Sequence, residues 1–114
     1  MVHTGAARAG VDNMTKTLAI EWALHGVRVN AVAPGVIRTP GTEQYPAQVM
    51  EAARKATPLR RFGDAREVAD LILYLGSRHA DFVTGQTMYI DGGQSLWGDL
   101  WEIPADVPSF PPYG

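Results

Sequence analysis

Apolar positions recur at helical spacing through the first part of the chain. Ala7, Val11, Met14, Leu18 and Trp22 follow one another at steps of four, three, four and four, so a helix over Gly5–His25 gathers them into one stripe. Arg8, Asp12 and Lys16 form a second stripe of alternating sign. The small residues Ala6, Ala9, Gly10, Ala19 and Ala23 leave room for another backbone, which predicts cover on more than one side. Gly26 stands where a helix closes through a left-handed residue. The pattern then changes. Val27–Ala33 is rich in β-branched residues and alanine, with the polar Asn30 among them, and reads as a strand packed on both faces. Pro34 ends it, and Gly35 is expected to turn the chain sharply through backbone angles closed to other residues. The carboxyl end of such a strand is where open α/β sheets keep their ligands.

Arg38–Tyr45 is irregular, and a short helix follows from about Pro46 to Ala56. Loop and helix together form either a flap that closes over a substrate or a surface connection. Thr57–Gly63 links to a second clear helix, with Asp64 as N-cap and Glu67 completing a capping box ahead of Val68, Leu71, Ile72 and Leu75, and an end near Gly76. Arg60 and Arg61 either reach an anionic substrate tail or pair with Asp64 and Glu67. Phe82–Gly85 makes a turn and Gln86–Ile90 a short strand closed by Asp91-Gly92-Gly93. Strand, helices, strand is a crossover unit, so the two strands are expected to be parallel, adjacent and joined right-handedly. Gln94–Gly114, carrying Trp97, Trp101, Phe110 and Tyr113, is expected to be an extended arm lying on the domain or on a second subunit.

At 114 residues the chain suffices for one small domain, and 46% hydrophobic with 19% charged residues is the composition of a folded protein. A net charge of -2 argues against nucleic acid as the main partner. No run approaches the roughly 20 apolar residues of a membrane span. Neither a signal peptide nor any other targeting signal is expected from the amino-terminal residues. The absence of cysteine excludes a disulfide framework and fits a reducing compartment: the cytoplasm, or the peroxisome or mitochondrion in a eukaryote.

Five segments, in order, carry a resemblance. They are Gly5-Ala6-Ala7-Arg8-Ala9-Gly10-Val11, Thr15–Trp22, Gly26–Gly35, Gly63–Ala69, and Thr84-Gly85-Gln86 through Asp91-Gly92-Gly93. Together, over about residues 3 to 96, they resemble the carboxyl-terminal half of short-chain dehydrogenases/reductases. Within that superfamily the opening is similar to peroxisomal-type trans-2-enoyl-CoA reductases and 2,4-dienoyl-CoA reductases.

The resemblance implies an α/β chain: residues 1–96 as the carboxyl-terminal portion of a doubly wound, Rossmann-like parallel sheet with two strands and two to three helices, and 97–114 as the arm. It also implies particular roles. Most of the superfamily has Tyr-x-x-x-Lys at the start of the first helix here, the tyrosine exchanging the proton; Thr4 and Arg8 stand at those two positions. Thr4 is a far weaker acid than a phenol of pKa about 10, so it is implied either to face the substrate or to cap the helix. Arg8 is implied to hold the cofactor's ribose or phosphate, unless it merely pairs with Asp12. Pro34 and Gly35 would shape a nicotinamide pocket, the Ile37 backbone would bond the carboxamide, and the Thr39 hydroxyl would bind carboxamide or pyrophosphate. The implied cofactor is NADPH, with NADH an alternative, and the implied substrate an acyl-CoA.

No glycine-rich phosphate loop precedes the first helix, so the amino-terminal dinucleotide-binding half is absent from this sequence. Two parallel strands alone leave the inner edge at Val27–Ala33 and the stripe of the first helix open to water. The chain is therefore expected to be a carboxyl-terminal portion of a longer reductase, or a truncated frame, and to be inactive without the missing half. As alternatives to an enoyl-CoA reductase half it could act as a non-catalytic subunit, forming homo-oligomers or pairing with a full-length copy, or be half of an alcohol dehydrogenase.

Overall fold

The computed structural model describes residues 2–97. The expected arm over 98–114, with Trp101, Phe110 and Tyr113, lies outside them.

Helix α1 spans Val2–Ala23, starting earlier than the apolar spacing implied, so Thr4 sits inside its first turns rather than capping it. Gly26, at φ 69°, closes it: the Gly26 N–H donates to the Ala23 carbonyl (3.0 Å) and the Val27 N–H to the Trp22 carbonyl (3.2 Å), the paired bonds of a Schellman motif.

The strand is shorter than expected. β1 is Ala31–Pro34, parallel to β4, Thr87–Ile90, in the register Ala31↔Thr87 to Pro34↔Ile90. Before it, Val29 and Asn30 are held largely by side chains. The Val29 N–H donates to Thr84 Oγ1 (3.1 Å), Asn30 Nδ2 donates to the Val83 carbonyl (3.0 Å), and the Gln86 N–H donates to Asn30 Oδ1 (3.1 Å). Asn30, a polar residue within the run, thus substitutes for ladder bonds at the strand's entry. The expected burial on both faces is not met, because no residue of β1 is fully buried.

The irregular span holds two elements the pattern did not predict. β2, Ile37–Arg38, pairs in parallel with β3, Gly63–Asp64, as a second two-stranded sheet, and a 3₁₀ turn covers Thr42–Gln44. Helix α2 is Ala47–Ala56, preceded by Pro46. Helix α3, Ala65–Gly76, opens with the expected capping box: the Asp64 carboxylate accepts from the Arg66 N–H (2.9 Å) and the Glu67 carboxylate from the Asp64 N–H (2.8 Å). Its carboxyl end is closed from afar. Arg28 donates to the carbonyls of Leu75 (2.8 Å), Val83 (3.2 Å) and Ser77 (3.3 Å), placing a cation against the helix's negative pole.

Gln94–Trp97 is a one-turn helix, α4, where extended chain was expected. Its turn forms because the Asp91 carboxylate accepts the N–H groups of Gly93 and Ser95, both at 2.9 Å. Gly92 and Gly93 let the segment after α2 approach: the Leu59 N–H donates to the Gly92 carbonyl (3.2 Å), and Thr57 and Pro58 lie where side chains at 92 and 93 would be.

The buried set is small. Ala19, Ala56, Leu75 and Ala80 form it, with Thr15, Thr57 and Gln94. The stripe of α1 is exposed as expected, Val11, Met14 and Trp22 being 49%, 54% and 44% accessible. The small-residue face of α1 is also exposed, apart from Ala19, so the predicted cover on several sides is not supplied by the described residues.

Candidate active site

The β1 carboxyl end opens on a cleft of about 580 Å³ between α1, the two central strands and α4. Arg8 contributes from α1, Pro34 and Gly35 from the bend after β1, Thr87 and Tyr89 from β4, and Asp91, Gln94 and Ser95 from beyond it. Three of the sequence-predicted residues, Arg8, Pro34 and Gly35, therefore meet in one place. Thr4, Ile37 and Thr39 do not line it.

Gly35 is required here for space and not, as the sequence suggested, for its angles, since its φ is not positive. A Cβ on it would lie 2.7 Å from Asp91 Cβ and 3.1 Å from Gln94 Oε1. Its N–H donates to the Ile90 carbonyl at 3.0 Å, so the bend remains tied to β4.

Ile37 sits on the outward phase of β2. The Gly63 N–H donates to the Val36 carbonyl at 2.9 Å, and in a parallel ladder that phase turns the peptide groups of Ile37 toward the edge away from β3. Thr39 is exposed and organises the 3₁₀ turn. Its Oγ1 accepts from the Thr42 N–H (3.3 Å) while its own N–H donates to Thr42 Oγ1 (2.8 Å). The Thr39 hydroxyl proton is left for another acceptor.

Among the described residues lining the cleft, Arg8 is the one cation, and it makes no ion pair with a described residue. The pairing on its stripe is instead Asp12 with Lys16, at 3.0 Å. Asp12 also accepts from Thr87 Oγ1 at 2.6 Å, and chiefly for that reason, with Lys16 adding to it, its carboxyl titrates below its ordinary value. Asp91 is likewise held below the usual carboxylate range, by hydrogen bonding from Ser95 first and from the Gly93 amide further. Both acids are thereby held ionised and committed to neighbours, which leaves Arg8 to meet an incoming anion.

Arg61 pairs with Glu67 (2.7 Å), as one sequence alternative held, whereas Arg60 takes no carboxylate among the described residues and donates to the Lys55 carbonyl (2.7 Å). Asp12, Thr87, Asp91, Gln94 and Ser95 were not foreseen as lining residues. Asp91-Gly92-Gly93 was the available signal, because a polar cluster directly after a β-strand marks the same sheet end as the bend after β1.

Comparison with known proteins gives the family. A family described as Enoyl-(Acyl carrier protein) reductase matches residues 1–95. Glucose 1-dehydrogenase of Gluconobacter oxydans is 44% identical over 83% of this chain and 36% of its own. For a 3-oxoacyl-(acyl-carrier-protein) reductase of Thermotoga maritima the figures are 53%, 77% and 36%, and for the peroxisomal 2,4-dienoyl-CoA reductase of Pongo abelii 43%, 83% and 34%. Among solved structures, one described as a 2-deoxy-D-gluconate 3-dehydrogenase of Agrobacterium tumefaciens with bound NADP superposes with a TM-score of 0.74, at 40% identity over 80% of this chain and 38% of that one. The chain belongs to the short-chain dehydrogenase/reductase superfamily of oxidoreductases, whose members use NAD or NADP. It spans about a third of the length of the curated relatives it matches. Its α/β architecture is that of part of their Rossmann-like fold. Among the described residues, no helix is long and apolar enough to cross a membrane.

Proposed function

We propose that this chain forms the carboxyl-terminal part of an NADPH-dependent reductase that saturates the carbon–carbon double bond of a 2-enoyl-CoA. The observation that carries the reading is the cleft at the β1 carboxyl end, lined by Arg8, which makes no ion pair with a described residue, and by the Pro34–Gly35 bend. Arg8 would hold ribose hydroxyls or a neighbouring phosphate as a permanent cation with a rigid fork of donors. The outward peptide groups of Ile37 suit a carboxamide, which needs one donor and one acceptor, and the Thr39 hydroxyl suits a further acceptor of the nicotinamide or pyrophosphate.

The choice of reaction follows from Thr4 and Arg8. NADPH, when bound, supplies a hydride. Reduction of a ketone then demands a proton on the nascent alkoxide, and an aliphatic hydroxyl such as that of Thr4 is too weak an acid to give it readily. Reduction of a conjugated thioester instead needs its carbonyl polarised and a proton delivered to the α-carbon, work open to water. Thr4, one helical turn before Arg8 but outside the lining of the cleft, is proposed to meet the substrate without acting as the acid. The similarity to a dienoyl-CoA reductase supports this choice, while the 3-oxoacyl reductase and glucose dehydrogenase names point to other substrates for other members.

A second reading rests on the exposed stripe of α1: a non-catalytic subunit that associates with itself or with a longer reductase. Either role is proposed for the cytoplasm, or for the peroxisome or mitochondrion of a eukaryote. The test is NADPH consumption by a longer reductase that carries this chain as its carboxyl-terminal part, with a trans-2-enoyl-CoA, a 3-oxoacyl-CoA and a secondary alcohol with NADP in parallel. Turnover with the enoyl thioester, reduced about tenfold or more in kcat/KM by Arg8→Ala, supports the reductase reading. Turnover with the alcohol alone overturns the choice of substrate, and no turnover together with co-purification of an intact reductase favours the second reading.

A further inference from the structure

Gln94 has no part in the chemistry described so far, yet its side chain is in an unusual position. The residue is 8% exposed, one of the few buried polar residues of the described chain, and it lines the cleft. No described residue hydrogen-bonds its carboxamide. Buried amides nearly always have partners, and the side chain of Gln94 lines the cleft, where a ligand would supply one. Its placement is tightly determined. The Gln94 N–H donates to the Asp91 carbonyl (3.2 Å), the Asp91 carboxylate grips the amides on either side, and the missing side chain of Gly35 leaves Gln94 Oε1 its seat beside the bend.

We propose that Gln94 is a substrate-binding residue whose Nε2–H donates to the carbonyl oxygen of an acyl thioester seated against the Pro34–Gly35 bend. The inference rests on the reductase reading and names the group that polarises the thioester. An uncharged amide is suited to this role, because it donates a hydrogen bond to an oxygen gaining negative charge while the permanent cation of Arg8 remains for the cofactor's anionic part. The remaining walls nearby, Val11, Val32 and Ala33, are apolar and suit an acyl chain.

The experiment compares two probes on the whole chain by calorimetry, crotonyl-CoA and its butyl thioether analogue, which lacks the carbonyl, with NADPH oxidation followed on the same preparations. Gln94→Ala is expected to weaken crotonyl-CoA binding about tenfold, the loss of one good hydrogen bond, and to leave thioether binding unchanged. Gln94→Glu keeps the shape, removes the donor and is expected to behave like Gln94→Ala; far-ultraviolet circular dichroism establishes that both are folded. The wild-type Gln94 side-chain amide signal in a nitrogen-15 correlation spectrum is expected to shift with crotonyl-CoA alone. Equal loss of both probes in the two variants, or binding of neither probe by the wild type, overturns the proposal. Reduction of crotonyl-CoA with Gln94→Ala unimpaired would overturn it while sparing the reductase reading. Carbonyl-dependent binding through Gln94 without NADPH oxidation would do the reverse.

Discussion

The Thr87 hydroxyl donates to the Asp12 carboxylate at 2.6 Å, joining the face of β4 to α1 across 75 residues of sequence. With the buried Thr15 and Ala19, this bond helps to hold that helix to the sheet. Thr87→Val, which keeps the shape and removes the donor, is expected to raise the Asp12 pKa toward the ordinary 3.8, because the Thr87 bond is the main cause of its depression. A carboxylate with a depressed folded pKa contributes stability above its unfolded value and loses it as pH falls through the folded one. The wild type should therefore destabilise in acid below about pH 4, and Thr87→Val should lose part of that dependence. Carbon-detected titration of Asp12, with melting at a series of pH values, checks both.

Glu67 makes a second acid-sensitive contact. Hydrogen bonding to Arg61, and then to the Asp64 amide, draws its pKa from 4.5 to about 2. Its contribution is complete above pH 4.5 and fades as pH falls toward 2. Glu67→Gln keeps the backbone half of the capping box, which glutamine also satisfies, but loses the ion pair. The variant is expected to melt slightly below the wild type at neutral pH, with the gap closing in this acid window and in high salt, since the pair is exposed.

Two glycines give opposite predictions. Gly35→Ala forces a Cβ to within 2.7 Å of Asp91 and is expected to cost about 1–3 kcal/mol, as overpacking does, and to disturb the seat of Gln94. Gly10 lies mid-helix with nothing within 4 Å of an added Cβ, so Gly10→Ala is expected to stabilise by about 0.5–1 kcal/mol. Urea denaturation measures both. Destabilisation by Gly10→Ala would mean that another backbone packs on the small-residue face of α1 in solution.

Arg28 donates to three carbonyls at the end of α3 and the turn before β4. Arg28→Ala is expected to cost about 2 kcal/mol, the order of a charged hydrogen-bond set in a half-buried setting. Arg28→Lys should recover part of this, because an ammonium cannot fork between carbonyls. Denaturation midpoints measured side by side would check the order wild type, lysine, alanine.

Local signals were readable from the residues wherever local chemistry decides the structure. The Asp64–Glu67 box, the Gly26 stop and the parallel pairing of β1 with β4 depend on neighbours a few residues apart or on a connection rule, and all are found. β2 and β3, two residues each, carry no period to detect. The role of Arg28 was hidden because its acceptors lie 47 to 55 residues on, and that of Gly35 because a close approach by Asp91 leaves no trace in its own neighbourhood. At the candidate site, the motif brought out Arg8, Pro34 and Gly35, but the residues after β4 that complete the cleft became visible only when the two strand ends were set side by side.

β1 spends its ladder bonds on β4 along one margin, and among the described residues its opposite margin meets no strand. Those unclaimed amides and carbonyls, together with the bare Val11 and Met14 of α1, adhere to any extended segment offered in register. Purified alone, the chain is expected to self-associate in proportion to its concentration, and a short peptide able to occupy that margin would be expected to keep it monodisperse, as light scattering would reveal.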